Sequence, residues 1–499
     1  MGIVKRQGIK ASILVYLGFI LGAINLLVFF PIFFSEEQLG LTRVLTSTTV
    51  TFAQLCLLGL PAVMLKFYPY YRDHSKKNDD LLFWSALFAF VGFVLISSIC
   101  WFFYTDILAY FALKSPLLSE YFYLTFVGGF FLVVYSIFET YSRSNLRSVF
   151  PIFLREVGLR VFTSILLFLY FFKWIDFKLF VIYFSFYFFI AVIVLLIDLW
   201  IHTGISFSTT TSSLTKRIKG KMFAYGSFIY GGGLFSIIAD NVDTILIAGI
   251  AGLKSTGIFT IASYIVTILQ VPQRTISSIT TPILAKSWKQ KDYANIQYLY
   301  EKTSLNQLIM GIAIFLCIWL NIDQLFSFLP SAYMEGKYVI LILCITRLID
   351  LGTGINGEIL ITSNFWRFNF ITHVLLVGLS IPINYFLISK FGIIGSAYSN
   401  LIAYSAYNST RFYFIYKKFN MQPLTINTLY VVLLSLLTFL ISKTFIMFDN
   451  VYIHIIINIF VVLIFFIAPV LYFNISTDFK LLYNQILTKL SLVLKQKNK

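Results

Sequence analysis

Acid, cysteine and histidine are all scarce in this chain of 499 residues, which carries 21 Asp and Glu against 38 Lys and Arg, with four Cys and four His. Each shortage closes off a chemistry. Cys56, Cys100, Cys317 and Cys344 lie within apolar runs at no metal-ligand spacing, as small buried hydrophobes do. His74, His202, His373 and His454 are scattered, without the Cys or carboxylate neighbours that a metal centre needs. No loop pairs glycines with a following Lys and Ser or Thr, which argues against ATP hydrolysis by this chain. Charged residues make up only 12% of the composition, hydrophobic ones 59%, and the mean hydropathy is +0.85, a balance that excludes a soluble domain of this size.

What fills the chain instead is a series of about fourteen apolar stretches, running from 8–34 to 450–473. Each is close to the ~20 residues that carry a helix across a bilayer, where no backbone polar group can be left unpaired. The expected fold is therefore an all-α polytopic membrane protein of about 14 transmembrane helices. The first stretch lacks a small-residue cleavage site and reads as a retained helix. Loops alternate between basic and nearly charge-free: one side collects about 28 Lys and Arg, the other about 8, with Arg274 and Arg347 deep inside spans. By the positive-inside rule the basic side is cytoplasmic, and both termini lie there. The net charge of +17 is thus a topology signal and not a nucleic-acid footprint.

Two stretches, 25–77 and 243–291, share one grammar at an offset of about 217 residues. Each has a polar residue late in a helix, an apolar run, a short external loop, a glycine opening the next helix, a polar-striped helix with a proline, and a basic loop. Gly40 corresponds to Gly257, and Pro61 to Pro272. Such a parallel repeat relates two halves by an axis along the membrane normal. The expected organisation is a six-helix bundle at 1–202, a cytoplasmic linker at 203–221, a second six-helix bundle at 222–418, two further helices at 419–473, and an amphipathic cytoplasmic tail at 474–499. In the tail Phe479, Leu482, Ile486, Leu490 and Leu494 recur near helical spacing among lysines.

Polar stripes inside the spans mark the candidate sites. Ser263, Thr267, Gln270, Arg274, Ser277 and Thr281 follow at spacings of three and four on one helix, and Pro272 bends it beside Arg274. An Arg at a helix centre costs at least about 2.5 kcal/mol against lipid, so the stripe lines protein or water. Arg274 either faces substrate or is permanently paired with a carboxylate. Arg43, Ser47, Thr51 and Gln54 repeat the design, and Asn25 adds a polar group beyond Gly18 and Gly22, glycines that suit close helix packing. Tyr230 precedes Gly231, Gly232 and Gly233, which are expected to interrupt their helix as a hinge. Beyond them Asp240 and Asp243, one turn apart, either bind a coupling cation or proton or serve as partners for Arg274 or loop amides. Arg347 and Asp350 are spaced for an ion pair, and Glu358, on the same expected face, is a further candidate for H+ or Na+ coupling. Arg155, Glu156 and Arg160 read as residues snorkelling near the cytoplasmic end.

Several runs together resemble the bacterial polysaccharide flippases, the Wzx-type O-antigen or lipid-linked oligosaccharide transporters of the multidrug/oligosaccharidyl-lipid/polysaccharide exporter superfamily. They are Phe33-Phe-Ser-Glu-Glu-Gln-Leu-Gly40, Asn241-Val-Asp243, Gly257-Ile-Phe-Thr-Ile-Ala262, Gly354-Ile-Asn-Gly-Glu358, and Ile383-Asn384 with Phe391-Gly392-Ile-Ile-Gly395-Ser-Ala397; Ser396 stands where the family commonly has Ala. The resemblance covers nearly the whole chain and implies two pseudo-symmetric six-helix bundles around a central cavity plus two C-terminal helices. It implies a non-enzymatic flippase of the inner membrane that moves undecaprenyl-diphosphate-linked oligosaccharide from the cytoplasmic to the periplasmic leaflet by alternating access, for surface polysaccharide such as lipopolysaccharide O-antigen. Arg274 and Arg43 are then placed for phosphate, entering the cavity from opposite halves, with Gln270, Asn25, Gln54, Tyr264 and Tyr230 for sugar. No metal or other cofactor is expected beyond a coupling ion, and no nucleic acid; the expected partners are the lipid-linked oligosaccharide, membrane lipids and other polysaccharide-assembly proteins. Alternatives on the same architecture are a cation-coupled multidrug exporter and a lipid II flippase. A membrane polymerase or ligase would call for a larger external loop than the longest here, about 322–336.

Overall fold

The computed structural model of the chain describes residues 2–72, 80–203, 208–443 and 450–480, and all of its regular elements are helices. The basic residues Lys76 and Lys77 and the tail beyond 480 lie outside the described residues. In chain order the main helices are α1 (Lys10–Phe33), α2 (Glu36–Cys56), α3 (Leu60–Arg72), α4 (Leu81–Phe102), α5 (Leu124–Ser144), α6 (149–171), α7 (Phe177–His202) and α8 (Ser213–Ile250). They continue as α9 (Leu253–Thr267), α10 (Gln270–Gln290), α11 (Tyr293–Trp319), α12 (Lys337–Gly352), α13 (Asn356–Thr362), α14 (Trp366–Phe391), α15 (Ile393–Phe419), α16 (Ile426–Ser442) and α17 (Val451–Tyr472). Among the described residues eight helices are long and apolar enough to cross a membrane, and eleven spans result when each bent pair is taken as one. The expected fourteen exceed this count. The remaining three stretches are helical, but α6 carries Arg155, Glu156 and Arg160, α15 is studded with Ser, Asn and Arg411, and α16 has 17 residues.

Helix ends follow their local chemistry. The run from Phe33 to Gly40 contains a capping box: Ser35 Oγ accepts from Gln38 N at 3.2 Å, Gln38 Oε1 accepts from Ser35 N at 3.1 Å, and Glu36 and Glu37 sit at the positive end of the helix dipole. Asp176, Ser212 and Asp292 cap α7, α8 and α11 by accepting from Leu179 N, Thr215 N and Asn295 N, without the reciprocal bond of a capping box.

Three spans are broken by bends of 47° (α2/α3), 49° (α9/α10) and 46° (α12/α13). The first two share one device. Pro61 lacks the N–H that would bond Leu57 O, and Leu60 N takes that carbonyl instead at 2.9 Å; Pro272 leaves Ile268 O, which Val271 N takes at 3.2 Å. At the third, Gly354 adopts φ 64° and Ser304 Oγ donates to the freed Gly352 O at 2.5 Å. That break separates Glu358, on α13, from Arg347 and Asp350, on α12, so the single polar face expected across them is not formed. Conversely α8 runs unbroken through Gly231, Gly232 and Gly233. Glycine disfavours a helix by only about 1 kcal/mol against Ala, and a helical backbone satisfies its own polar groups where water is absent.

The chain divides into two compact units, Met1–Ile261 with Ile381–Ser396, and Ala262–Ser380 with Ala397–Lys499. The first is built on Phe52, Leu57, Tyr68, Leu82, Leu132, Tyr135, Tyr187 and Leu195, with Phe30, Phe34 and Phe180 in edge-to-face contact. Within it Gly40 and Gly257 sit in a reciprocal close approach: a Cβ on Gly40 would stand 2.0 Å from Leu253 O, and one on Gly257 2.1 Å from Glu36 O. The second unit has one core of Leu308, Ile312, Leu316, Val431, Phe466 and Val470, where α16 and α17 pack on α11, and another around Leu284, Tyr300, Ile355 and Ile415.

Candidate substrate-binding and ion-coupling sites

Charges within spans must be paired or face a hydrophilic interior, because their cost against hydrocarbon is several kcal/mol. In the first unit they gather on α5 and α6. Glu139, 5% exposed, receives Arg155 Nη1 at 3.3 Å and Arg143 Nη1 at 3.9 Å, and Glu156 receives Arg160 Nη1 at 3.0 Å. A single π-helical turn at Leu154–Gly158 carries Arg155 and Glu156, and a second, at Asn25–Phe29, opens with Asn25. Asn25 Nδ2 donates to Arg160 O at 2.7 Å, and its Oδ1 accepts from Ser164 Oγ at 2.7 Å. With its amide engaged at both ends and only 4% exposed, Asn25 fixes α6 against α1 and does not reach a ligand as expected. Gly18 serves the same packing, a Cβ there standing 2.5 Å from Glu156 O.

Arg43, half-buried on α2, lies over the Phe30 ring at 5.2 Å, and Gln54 lies half-buried further along the helix. Tyr230 is committed to the backbone: its hydroxyl donates to Leu55 O at 2.8 Å, a carbonyl that the α2/α3 break deprives of its helical donor. That hydrogen bond replaces the expected sugar contact with a structural one. Asp240 is exposed on α8, and Asp243 accepts from Asn384 Nδ2 at 2.6 Å. Asn384 comes from the Ile383-Asn384 run, and its pairing with Asp243 was not legible from spacing.

In the second unit Arg274 is exposed on α10, just beyond the Pro272 bend, and Tyr264 is half-buried on α9. Gln270 stands between two guanidinium groups. With its amide oxygen toward Arg347 it accepts from Nε, Nη2 and Nη1 at 2.8, 3.0 and 3.1 Å; the opposite orientation gives one contact from Arg274 Nη2 at 3.4 Å, so the first arrangement is favoured. Arg347 also lies 4.8 Å from the Tyr404 ring. Asp350 is held by amides in place of the expected Arg347: Oδ1 accepts from Asn408 Nδ2 at 3.0 Å and Oδ2 from Gln273 Nε2 at 3.1 Å. Spacing of three allows an ion pair, yet the amides on α10 and α15 reach the carboxylate first. Asn356 extends the chain by donating to Asn408 Oδ1 at 3.1 Å.

Arg411, on α15, is a buried residue, 5% exposed. Its Nε donates to Thr372 Oγ1 at 3.0 Å, Nη2 donates to Asn369 Oδ1 and to His373 Nε2, the latter at 3.4 Å, and the Tyr407 ring lies 3.9 Å away. Among the described residues no group of three or more His, Cys, Asp or Glu is arranged to hold a metal ion. What these clusters offer is guanidinium forks suited to phosphate and planar amides, carboxylate and tyrosine rings suited to sugar hydroxyls.

The model of the family described as "Polysaccharide biosynthesis protein" matches residues 5–288, more than half of the chain. The chain belongs to this family. An uncharacterized membrane protein of Methanocaldococcus jannaschii, MJ1068, is 25% identical over 268 residues, 52% of this chain and 50% of its own length, so the chain spans about half of that relative. Among solved structures, the inward closed conformation of the lipid II flippase MurJ is similar over 93% of this chain and 99% of its own, with a TM-score of 0.69 and 15% identity. The inward-facing conformation of a multidrug resistance MATE family transporter of the MOP superfamily covers 81% of this chain and 94% of its own, with a TM-score of 0.66 and 13% identity. At such identities the likeness is one of fold: this family member is an all-helical, multi-pass membrane protein with the fold of those two structures.

Proposed function

We propose that the protein is a Wzx-type flippase that moves undecaprenyl-diphosphate-linked oligosaccharide from the cytoplasmic to the outer leaflet of the cytoplasmic membrane, with both termini in the cytoplasm. The observation that carries this reading is Arg274: an exposed guanidinium inside a polar span, one turn from Gln270 and just past a proline bend. A diphosphate head must cross ~30 Å of hydrocarbon while its tail stays in lipid, and Arg is the side chain whose planar fork matches phosphate oxygens. Amide and tyrosine groups around Asp350 suit the sugars. Family membership in polysaccharide biosynthesis supports a glycan cargo over an organic cation. Flipping of lipid-linked oligosaccharide by the purified protein in proteoliposomes tests the assignment. Parental protein that moves organic cations but no lipid-linked glycan would replace it with the multidrug-exporter reading.

A carboxylate that holds H+ or Na+ in part of the cycle would couple this transport to a gradient. Asp240, Asp243 and Glu358 are the candidate coupling residues, and Asp243 also accepts a hydrogen bond from Asn384 Nδ2.

A further inference from the structure

Three arginines on α5 and α6 take no part in the reading above. Arg143 closes the basic-loop end of α5, and Arg155 and Arg160 lie about six and eleven residues into α6, or roughly 9 and 16 Å along it at 1.5 Å per residue. Together they span from the cytoplasmic edge to about half of a ~30 Å core. In a regular α-helix Arg155 and Arg160 would stand about 140° apart at 100° per residue. The π-helical turn at Leu154–Gly158 narrows that angle, and Arg160 Nη1 reaches back along the helix to Arg155 O at 3.5 Å and to Glu156 O.

The arrangement is pre-built. Glu139 sits below Arg143 and Arg155, its side chain 6% exposed while theirs are 44% and 49% exposed, so each guanidinium is pinned on its inner side and open on its outer one. Arg160 is pinned by Glu156, and its backbone by Asn25. Tyr135 and Tyr187 donate to Pro151 O and Leu154 O, fixing the start of α6. A snorkelling arginine extends alone toward headgroups, whereas here two converge on one buried carboxylate. Three cations against two carboxylates leave a net positive surface with unused N–H forks.

We propose that Arg143, Arg155 and Arg160 form a diphosphate subsite on the first unit, where the head of the lipid-linked substrate is captured on the cytoplasmic side before transport. This rests on the flippase reading and adds to it a landing site distinct from Arg274. The shared chemistry is a phosphate oxyanion, which a prenyl diphosphate, free pyrophosphate or an anionic phospholipid could each present.

The test is binding to full-length protein in nanodiscs of zwitterionic lipid, with undecaprenyl diphosphate as probe and inorganic pyrophosphate or phosphatidylglycerol as competitors. Because removing the arginines alone strands a buried Glu139, the principal variant is Arg143→Gln/Arg155→Gln with Glu139→Gln; Arg160→Gln, whose Glu156 partner is partly open to solvent, is the second. Expected are at least tenfold weaker binding in both variants with unfolding midpoints near the parent's, an intermediate loss in Arg155→Lys, competition by pyrophosphate, and none by phosphatidylglycerol. Parental affinity in both variants would overturn the subsite and leave the flippase reading standing. Equal competition by phosphatidylglycerol would reduce the cluster to a lipid contact, and failure of pyrophosphate to compete would assign binding to the prenyl tail; either overturns the subsite. Parental protein that binds no prenyl diphosphate removes both proposals.

Discussion

At the scale of single residues, the polar groups of this protein sort by whether their hydrogen-bonding capacity is already used. Arg274 is exposed on a polar helix, and Arg274→Gln is expected to abolish glycan transport in proteoliposomes while leaving the unfolding midpoint within about a degree or two, since an exposed substitution seldom changes stability by more than ~0.5 kcal/mol. Transport at the parental rate would remove Arg274 from the site. Tyr230 is the contrasting case. Its hydroxyl satisfies Leu55 O, so Tyr230→Phe is expected to cost about 1 kcal/mol in chemical or thermal unfolding and leave the apparent KM for lipid-linked glycan unchanged. Both residues stand out in the sequence as polar groups in apolar spans, and sequence alone does not say which is spent. The amide partners of Asp350 and Asp243 were invisible for the same reason: Gln273, Asn408 and Asn384 lie 77, 58 and 141 residues away. Arg411 lies six residues before the basic pair Lys417 and Lys418, so its burial is not visible in the sequence, yet three residues of α14 enclose its guanidinium.

At the scale of helices, neither proline nor glycine alone marks a bend: Gly59 at φ 77° and Gly354 at φ 64° lie in two of the three breaks, and Pro282 and Pro382 lie inside continuous helices. Pro61 and Pro272 each remove one backbone donor, and each span bends where that donor is missing. Gly231 and Gly233 remove nothing, and a Cβ on either would meet no atom within 4 Å. Packing therefore gives no reason for glycine there. Gly231→Ala with Gly233→Ala is expected to stabilise α8 by roughly 1 kcal/mol per site. If α8 bends during the cycle, the same pair slows transport while raising the unfolding midpoint; a variant that is more stable and equally fast would show that α8 moves as a rod. Gly40 and Gly257 present the opposite case, fully legible as repeat-related positions and each the fifth residue of its helix. A side chain at either would collide with a carbonyl of the other's helix, so Gly40→Ala and Gly257→Ala should each cost about 1–3 kcal/mol. Because the two lie in one contact, the double variant should cost less than the sum, which thermal unfolding of the four proteins measures directly.

At the scale of the whole molecule, the remaining question is what drives the cargo. On the flippase reading, with no nucleotide-cradling glycine loop in the sequence, transport would draw on a gradient or on consumption of its product, and the intramembrane acids are where a gradient would act. Asp243 accepts a hydrogen bond from Asn384 Nδ2 and, with Asp240 and Glu358, is one of the acids proposed to couple transport to a gradient. Transport by the parental protein is therefore expected to rise with an imposed proton or sodium gradient, and Asp243→Asn to lose that dependence while retaining binding of lipid-linked glycan. The geometry makes the substitution a fair one, since an amide of the same shape can still hydrogen-bond Asn384 after one side chain turns over. Equal transport by the parent with and without either gradient would remove Asp243, Asp240 and Glu358 together as coupling residues. It would leave removal of flipped substrate as the driving force, and these intramembrane acids as fixed counter-charges within the spans.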